Sequence, residues 1–227
     1  MGKTGRRAIV KSGRGGRVRS RVRNQSAKRP RDAQPLRERV LNAAFSAFME
    51  KGYAATSTLE IATRAKVSKR ELYQVCTNKP GLLLEAISER ARRMRLPLEL
   101  PAAKDRAGLT ATLAAFGAAT LRGVCDPTVQ GVYRLAIAES VQTPQVAGTL
   151  ASARAANRAA LARMLTQAQA AGLIGSGDPA TMAIEFFALL WGDLLLQLLL
   201  GVAEPPAQQV LEQKAREAAE KLVRLYR

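Results

Sequence analysis

Residues 57–76 read STLEIATRAKVSKRELYQVC. The stretch encodes two short helices, and each opens with the same chemistry. Ser57 is followed three residues on by Glu60, and Ser68 three residues on by Glu71. In such a pair the serine hydroxyl accepts from the third amide of the helix, and the glutamate reaches back to the serine amide. Both starts therefore read as capping boxes. Between the helices lies Ala65-Lys66-Val67, enough for a tight turn. In the second helix Leu72 and Val75 are placed to pack inward, while Lys69, Arg70, Tyr73 and Gln74 lie on the other side. Two short helices at a tight turn, behind a longer support, make a helix-turn-helix. Hairpins of capped helices also occur in ordinary helical cores.

Upstream, Val40, Leu41, Ala44, Phe45, Phe48 and Met49 recur at three- and four-residue spacing, which marks one buried helix face. Gly52 is expected to end that helix as a left-handed cap. Downstream, Asn78 is placed to cap a fourth helix running to about Arg95. Beyond it, Asp126-Pro127, Thr143-Pro144 and Asp178-Pro179 each set an N-cap before a proline at the first helical position. Gly172 is a helix stop, and Pro205-Pro206 opens the last helix. No stretch alternates like a strand. The chain is 47% hydrophobic but only 4% aromatic. Its core is built from Ala, Leu, Val and Ile, and Ala and Leu are strong helix formers. The expected fold is all-α: a basic arm over 1–35, a three-helix head over 36–82, and a larger helical body over 83–227.

Charge separates these regions. Residues 1–35 carry 12 Lys/Arg and one acid, for a net +11; 36–95 carry +6; 96–227 carry +1. A positive field at one end of a nearly neutral body attracts a polyanion, with nucleic acid the first candidate. The arm is too poor in apolar residues to offset its ordering entropy and reads as disordered. A transit peptide or a misplaced start codon are the other readings of it. No apolar signal segment is present at the N-terminus. The chain has no histidine, which removes the commonest general base and metal ligand. Cys76 and Cys125 form no CxxC pair. No enzyme constellation, cofactor or metal is expected, and a reducing cytoplasmic compartment fits. The apolar run 186–202 holds Asp193 and Gln197 and reads as a buried helix rather than a membrane span.

One run carries a more specific pattern: Ala43-Ala44, Phe48, Gly52-Tyr53, Thr56-Ser57, Ile61-Ala62, Ala65, Val67-Ser68, Leu72-Tyr73, Lys79 and Leu82-Leu83. On these residues the stretch 37–87 resembles the N-terminal domain of TetR-type transcriptional regulators. YRLAIAESVQTPQVA, residues 133–147, is similar to the AefR-like subtype of C-terminal domain. The resemblance implies an all-α dimer that docks its second and third helices in the major groove of double-stranded DNA. It implies that Thr56, Ser57, Tyr73 and Lys79 hold the phosphate backbone. Ser68, Lys69, Arg70 and Gln74, at and just after the start of the third helix, are placed to reach base edges. The sequence departs from the family at Lys66, where glycine is usual, and at Cys76, where phenylalanine is usual. It departs also at Glu71, which stands where a small residue or Thr is common. Glu71 either completes its cap or accepts from a cytosine.

In the last helix Leu211, Ala215, Ala218, Leu222 and Leu225 fall at spacings of 4, 3, 4 and 3, a seam suited to close packing. Leu189, on the helix before, sits in one i,i+4 row with Glu185, Asp193 and Gln197. These two helices are read as the homodimer interface. Phe116, Tyr133, Ile137, Phe187 and Trp191 are candidates for a ligand cavity, each alternatively plain core. Arg134 and Glu139 either orient a ligand or sit at the surface. The expected function is a sequence-specific homodimeric repressor released by a small hydrophobic or aromatic effector. The alternative is a non-specific DNA-compacting protein that relies on its basic arm.

Overall fold

Val40, Leu41, Ala44, Phe45, Ala47 and Phe48 form one buried stripe along α1 (Leu36–Lys51), as their spacing requires. The computed structural model describes residues 34–93 and 102–227; apart from Gln34 and Pro35, the basic arm lies outside them. Against α1 pack α2 (Thr58–Ala65), α3 (Lys69–Val75) and α4 (Lys79–Arg93). After these come α5 (Arg106–Cys125), α6 (Pro127–Glu139), α7 (Pro144–Ala170), α8 (Pro179–Trp191), α9 (Leu194–Leu200) and α10 (Gln208–Leu225). Among the described residues every regular element is a helix. The boundary expected between 82 and 83 falls inside α4.

Two cores organise these helices. The first joins α1–α4 to α6 and the start of α7: Phe48, Ile61, Leu72, Leu82 and Ile87 share it with Val132, Leu135, Val146 and Leu150. The second holds Leu113, Leu121, Leu161, Phe186 and Leu190 together with Leu211, Ala215, Ala218 and Leu222. Here α5 lies along α10. Gly117 makes that approach possible: a Cβ there would stand 3.0–3.2 Å from Leu190, Ala215 and Phe186. This corrects the reading of the last helix. Leu211, Ala215, Ala218 and Leu222 are buried by their own subunit's α5 and α8. Periodicity identifies a buried face but not what buries it.

The predicted caps resolve individually. At α3 the box is complete: Glu71 N–H donates to Ser68 Oγ (3.2 Å) and Ser68 N–H to Glu71 Oε2 (2.7 Å). The Ser68 backbone N–H, and after it the Ser68 side chain, hold the Glu71 carboxyl below its usual range. At α2 only half the box closes. Ser57 Oγ accepts from Glu60 N–H (3.1 Å), but the Glu60 carboxylate is taken by Lys51 and Arg64, both at 2.8 Å. Two cations outbid one amide for a carboxylate. Asp126 and Asp178 cap α6 and α8. Thr143 makes no side-chain cap, which corrects that expectation. Gly52 has positive φ (80°) but ψ of 161°, so it is an extended glycine corner rather than a left-handed cap.

The run 186–202 is not one helix. Gly192 takes φ 47°, and α8 and α9 meet at a bend of 56°. The expected row Glu185–Leu189–Asp193–Gln197 is therefore broken, leaving Gln197 Nε2 to donate to Asp193 Oδ2 (2.7 Å). The bent pair and α5 are each long and apolar enough to cross a membrane; α5 instead buries Leu109, Leu113, Phe116 and Leu121 against its neighbours.

The turn between α2 and α3 places Lys66 at φ 54°, ψ 49°, the left-handed region. A side chain with a Cβ is strained there by about 1–2 kcal/mol. The turn holds because Val67 N–H donates to Ala62 O (3.0 Å) and the Arg39 guanidinium spans Ala65 O (3.2 Å) and Lys66 O (2.7 Å). Lys66→Gly relieves the clash and adds unfolded-state entropy, for a net gain of about 0.5–1 kcal/mol. In a chain of this size the melting temperature is expected to rise by roughly 1–4 °C. A fall on calorimetry would show that the lysine side chain itself supports the turn.

Candidate nucleic-acid interface and ligand cavity

The α2–turn–α3 unit is held from behind and bare in front. Leu72 is its buried anchor, with Val67 and Val75 half-buried beside it. Cys76 closes the base, and burial pushes its thiol above the usual range. On the outer side Ser57, Ser68, Lys69, Arg70, Tyr73 and Gln74 are all exposed. Lys69 leans over the Tyr73 ring, 6.0 Å from its centroid. The rigid support is a charge network: Arg64 bridges Glu60 and Glu50, tying α2 to the end of α1. The outer face thus combines two cations, an amide and a phenol on one short helix, the donor set that reads base edges and holds phosphates.

Two of the anticipated contacts are placed differently. Thr56 is buried, and its hydroxyl lies 2.8 Å from Gly52 O and 3.1 Å from Ala47 O. Its side chain braces the α1–α2 corner and is not presented for a phosphate. Lys79 Nζ stands 4.4 Å over the Tyr53 ring and donates to Ala54 O (3.1 Å), so its charge sits at the start of α4 but is partly engaged.

The body contains a partly open cavity of about 110 Å³. Its walls come from α5 (Thr120, Val124), α6 (Val129, Tyr133), α7 (Leu150, Arg154, Asn157, Arg158) and α8 (Phe187, Trp191). Tyr133, Phe187 and Trp191 were legible as candidates. Ile137 was not correctly placed: one turn beyond Tyr133 on α6, it is 60% exposed and outside the cavity lining. Phe116 lies one layer behind, its ring 5.9 Å from Phe187 and 6.3 Å from Phe186, and is core. Arg134 points elsewhere and caps α9, donating to Leu198 O and Leu199 O. Sequence reasoning missed Arg154, Asn157 and Arg158, since polar residues on an Ala-rich helix read as a solvated face. Their i, i+3, i+4 spacing was the available signal. The Arg154 guanidinium stacks 4.5 Å from the Trp191 ring. Burial pushes the Tyr133 phenol up, against the pull of Arg154, so it stays neutral.

Of the six residues anticipated at a dimer interface, Leu189 and Leu225 remain exposed, alongside Ile184 and Val210. All four are exposed apolar side chains on α8 and α10, outside the buried seam.

Comparison with known proteins agrees with this anatomy. Residues 40–86 match the model of bacterial regulatory proteins of the tetR family, and residues 111–227 that of the AefR-like transcriptional repressor C-terminal domain. The HTH-type transcriptional regulator YvkB of Bacillus subtilis (strain 168) is 25% identical over 181 residues, 79% of this chain and 93% of its own length. Among solved structures, a TetR-family transcriptional regulator from Mesorhizobium loti MAFF303099 superposes with a TM-score of 0.73 at 25% identity, covering 84% of this chain and 96% of its own. The flavonoid-responsive regulator FrrA does so with a TM-score of 0.70 at 28% identity and the same coverage. The head with its helix-turn-helix and the helical body behind it together make this chain a member of the TetR family of DNA-binding transcriptional regulators, with a C-terminal domain of the AefR-like repressor type.

Proposed function

We propose that the protein is a cytoplasmic homodimeric repressor whose hold on its operator is released when a small apolar or aromatic molecule enters the body cavity. Lys69, Arg70 and Gln74 read base edges, with Ser68 fixing the start of their helix, and Ser57, Tyr73 and Lys79 hold the backbone. Ile184, Leu189, Val210 and Leu225 face the second subunit. The observation that carries the release mechanism is a shared wall. Tyr133, Leu150 and Ala153 line the cavity and also pack against the core of the head. On its other side α6 presses Gly131 against Met49 of α1, where a Cβ would stand only 2.5 Å from the Met49 Cε. A ligand that moves α6 therefore moves the base of the reading head, because packed cores transmit displacement rather than absorb it. FrrA, described as flavonoid-responsive, supports an aromatic effector class.

A ligand shifts the equilibrium only by its differential affinity for the free and DNA-bound shapes. The test starts from a site selected out of a random DNA pool. Compounds that quench Trp191, the chain's single tryptophan, are expected to weaken operator binding by roughly 5–150-fold. A compound that binds tightly in the cavity yet leaves operator affinity unchanged overturns the release mechanism.

A further inference from the structure

The cavity walls specify more than an apolar guest. Two of the polar atoms in them are buried without a partner: the acceptor Asn157 Oδ1 and the donor Trp191 Nε1. An unsatisfied buried polar atom costs about 1–3 kcal/mol, which a ligand recovers by supplying one donor and one acceptor. Thr120 does not compete for either, since its hydroxyl donates to Phe116 O (2.9 Å). The same walls carry Arg154 and Arg158, and among the described lining residues there is no carboxylate. Neither arginine has an ion pair among the described residues. A purely apolar guest would strip water from these guanidiniums and return nothing, and a neutral acceptor returns weaker hydrogen bonds than the charge-assisted ones an anion makes. The aromatic lining has its own geometry. Phe187 stands edge-on to Trp191, with centroids 5.7 Å apart at 68°, beside Tyr133, Val124 and Val129. A flat ring fits such a corner and gains ring contacts beyond its buried area.

We infer that the ligand of this cavity is a planar aromatic acid that also carries a hydroxyl group. Its carboxylate meets Arg154, Arg158 and the Trp191 N–H, and its hydroxyl donates to Asn157 Oδ1. The inference rests on the cavity being the effector site, and it adds the charge and the donor that the effector must carry.

Isothermal titration calorimetry on the full chain tests it with three probes of one shape. These are 4-hydroxycinnamate, cinnamate without the hydroxyl, and the uncharged methyl ester of 4-hydroxycinnamate. The hydroxy acid is expected to bind at least about tenfold more tightly than the ester, and about fivefold more tightly than cinnamate. Arg158→Gln should shrink the preference for acid over ester while leaving ester affinity in place, and Arg158→Lys should keep most of it. Asn157→Leu should abolish the preference for the hydroxyl alone. Thermal melts of each variant establish that it is folded, and Arg154→Gln provides a second charge variant. An ester that binds as tightly as the acid overturns the inference, as does an absence of saturable heat from the acid at about 1 mM. Operator affinity, measured separately, keeps the two readings apart. If the ester rather than the acid releases DNA, the charge assignment falls and the release mechanism stands. If the acid binds with the stated preferences and DNA stays bound, the reverse holds.

Discussion

Replacing Lys69 and Arg70 together by glutamate is expected to lower operator affinity by about a thousandfold or more while leaving the protein folded. Each base-edge or phosphate contact of this kind contributes about 1–3 kcal/mol. A dimer loses four such contacts and gains four like charges facing the duplex. The expected loss of at least ~4 kcal/mol corresponds to that factor. The substitutions leave the fold in place, on physical grounds. Both side chains are exposed and occupy the first two positions of α3, where carboxylates favour the positive end of the helix dipole. The Ser68–Glu71 box and the Leu72 anchor are untouched. Fluorescence anisotropy over a range of salt concentrations, alongside a circular-dichroism melt, reads both quantities. A folded variant that loses less than about tenfold in affinity places the reading surface somewhere other than this face of α3.

The second large effect separates the two faces of α10. Leu222 is fully buried against its own subunit, and Leu225 is 63% exposed. Leu222→Ala removes core volume from the α5–α10 contact and is expected to destabilise the fold by about 2–5 kcal/mol. At fixed protein concentration that lowers the melting temperature by roughly 5–15 °C. Leu225→Glu touches no core and is expected to leave the subunit folded while weakening association, which sedimentation velocity detects. If Leu222→Ala instead yields folded monomers at an unchanged melting temperature, the seam belongs between subunits after all.

These two experiments mark where the sequence was legible and where it was not. The reading head was legible because its determinants are local. A serine and a glutamate three residues apart close a cap without help from the rest of the chain. The exposed set Lys69, Arg70, Tyr73 and Gln74 follows from helical geometry once Leu72 is assigned inward. The left-handed turn at Lys66 was signalled only by the resemblance, in which glycine is usual at that position, and not by the lysine itself. Thr56 was misjudged. Its phosphate role was implied by the family resemblance alone, but its hydroxyl is claimed by two carbonyls that only the fold brings to it.

In the body the determinants are distant. The apolar run 186–202 was read as one helix, although Gly192-Asp193 interrupts it and marks where the backbone turns. The Leu211–Leu222 seam carries a real periodicity, yet periodicity is silent on whether the opposing surface is the subunit's own α5 or another chain. Ile137 and Tyr133 lie four residues apart on α6, close enough to be assigned together, and differ in role because the cavity opens beside only one of them.

What the sequence by itself determined is the class of the fold, the position and polarity of the third helix, and the concentration of positive charge towards the N-terminal end. Each depends on spacing within one or two helical turns, where hydrogen bonds and side-chain contacts are decided by near neighbours. Only the tertiary structure decided which apolar face of α10 is core and which polar residues of α7 meet Trp191. It alone showed that the cavity and the head share a wall at Tyr133, Leu150 and Ala153. Those depend on which helix lies across which, and close packing settles that through contacts between residues far apart in the chain.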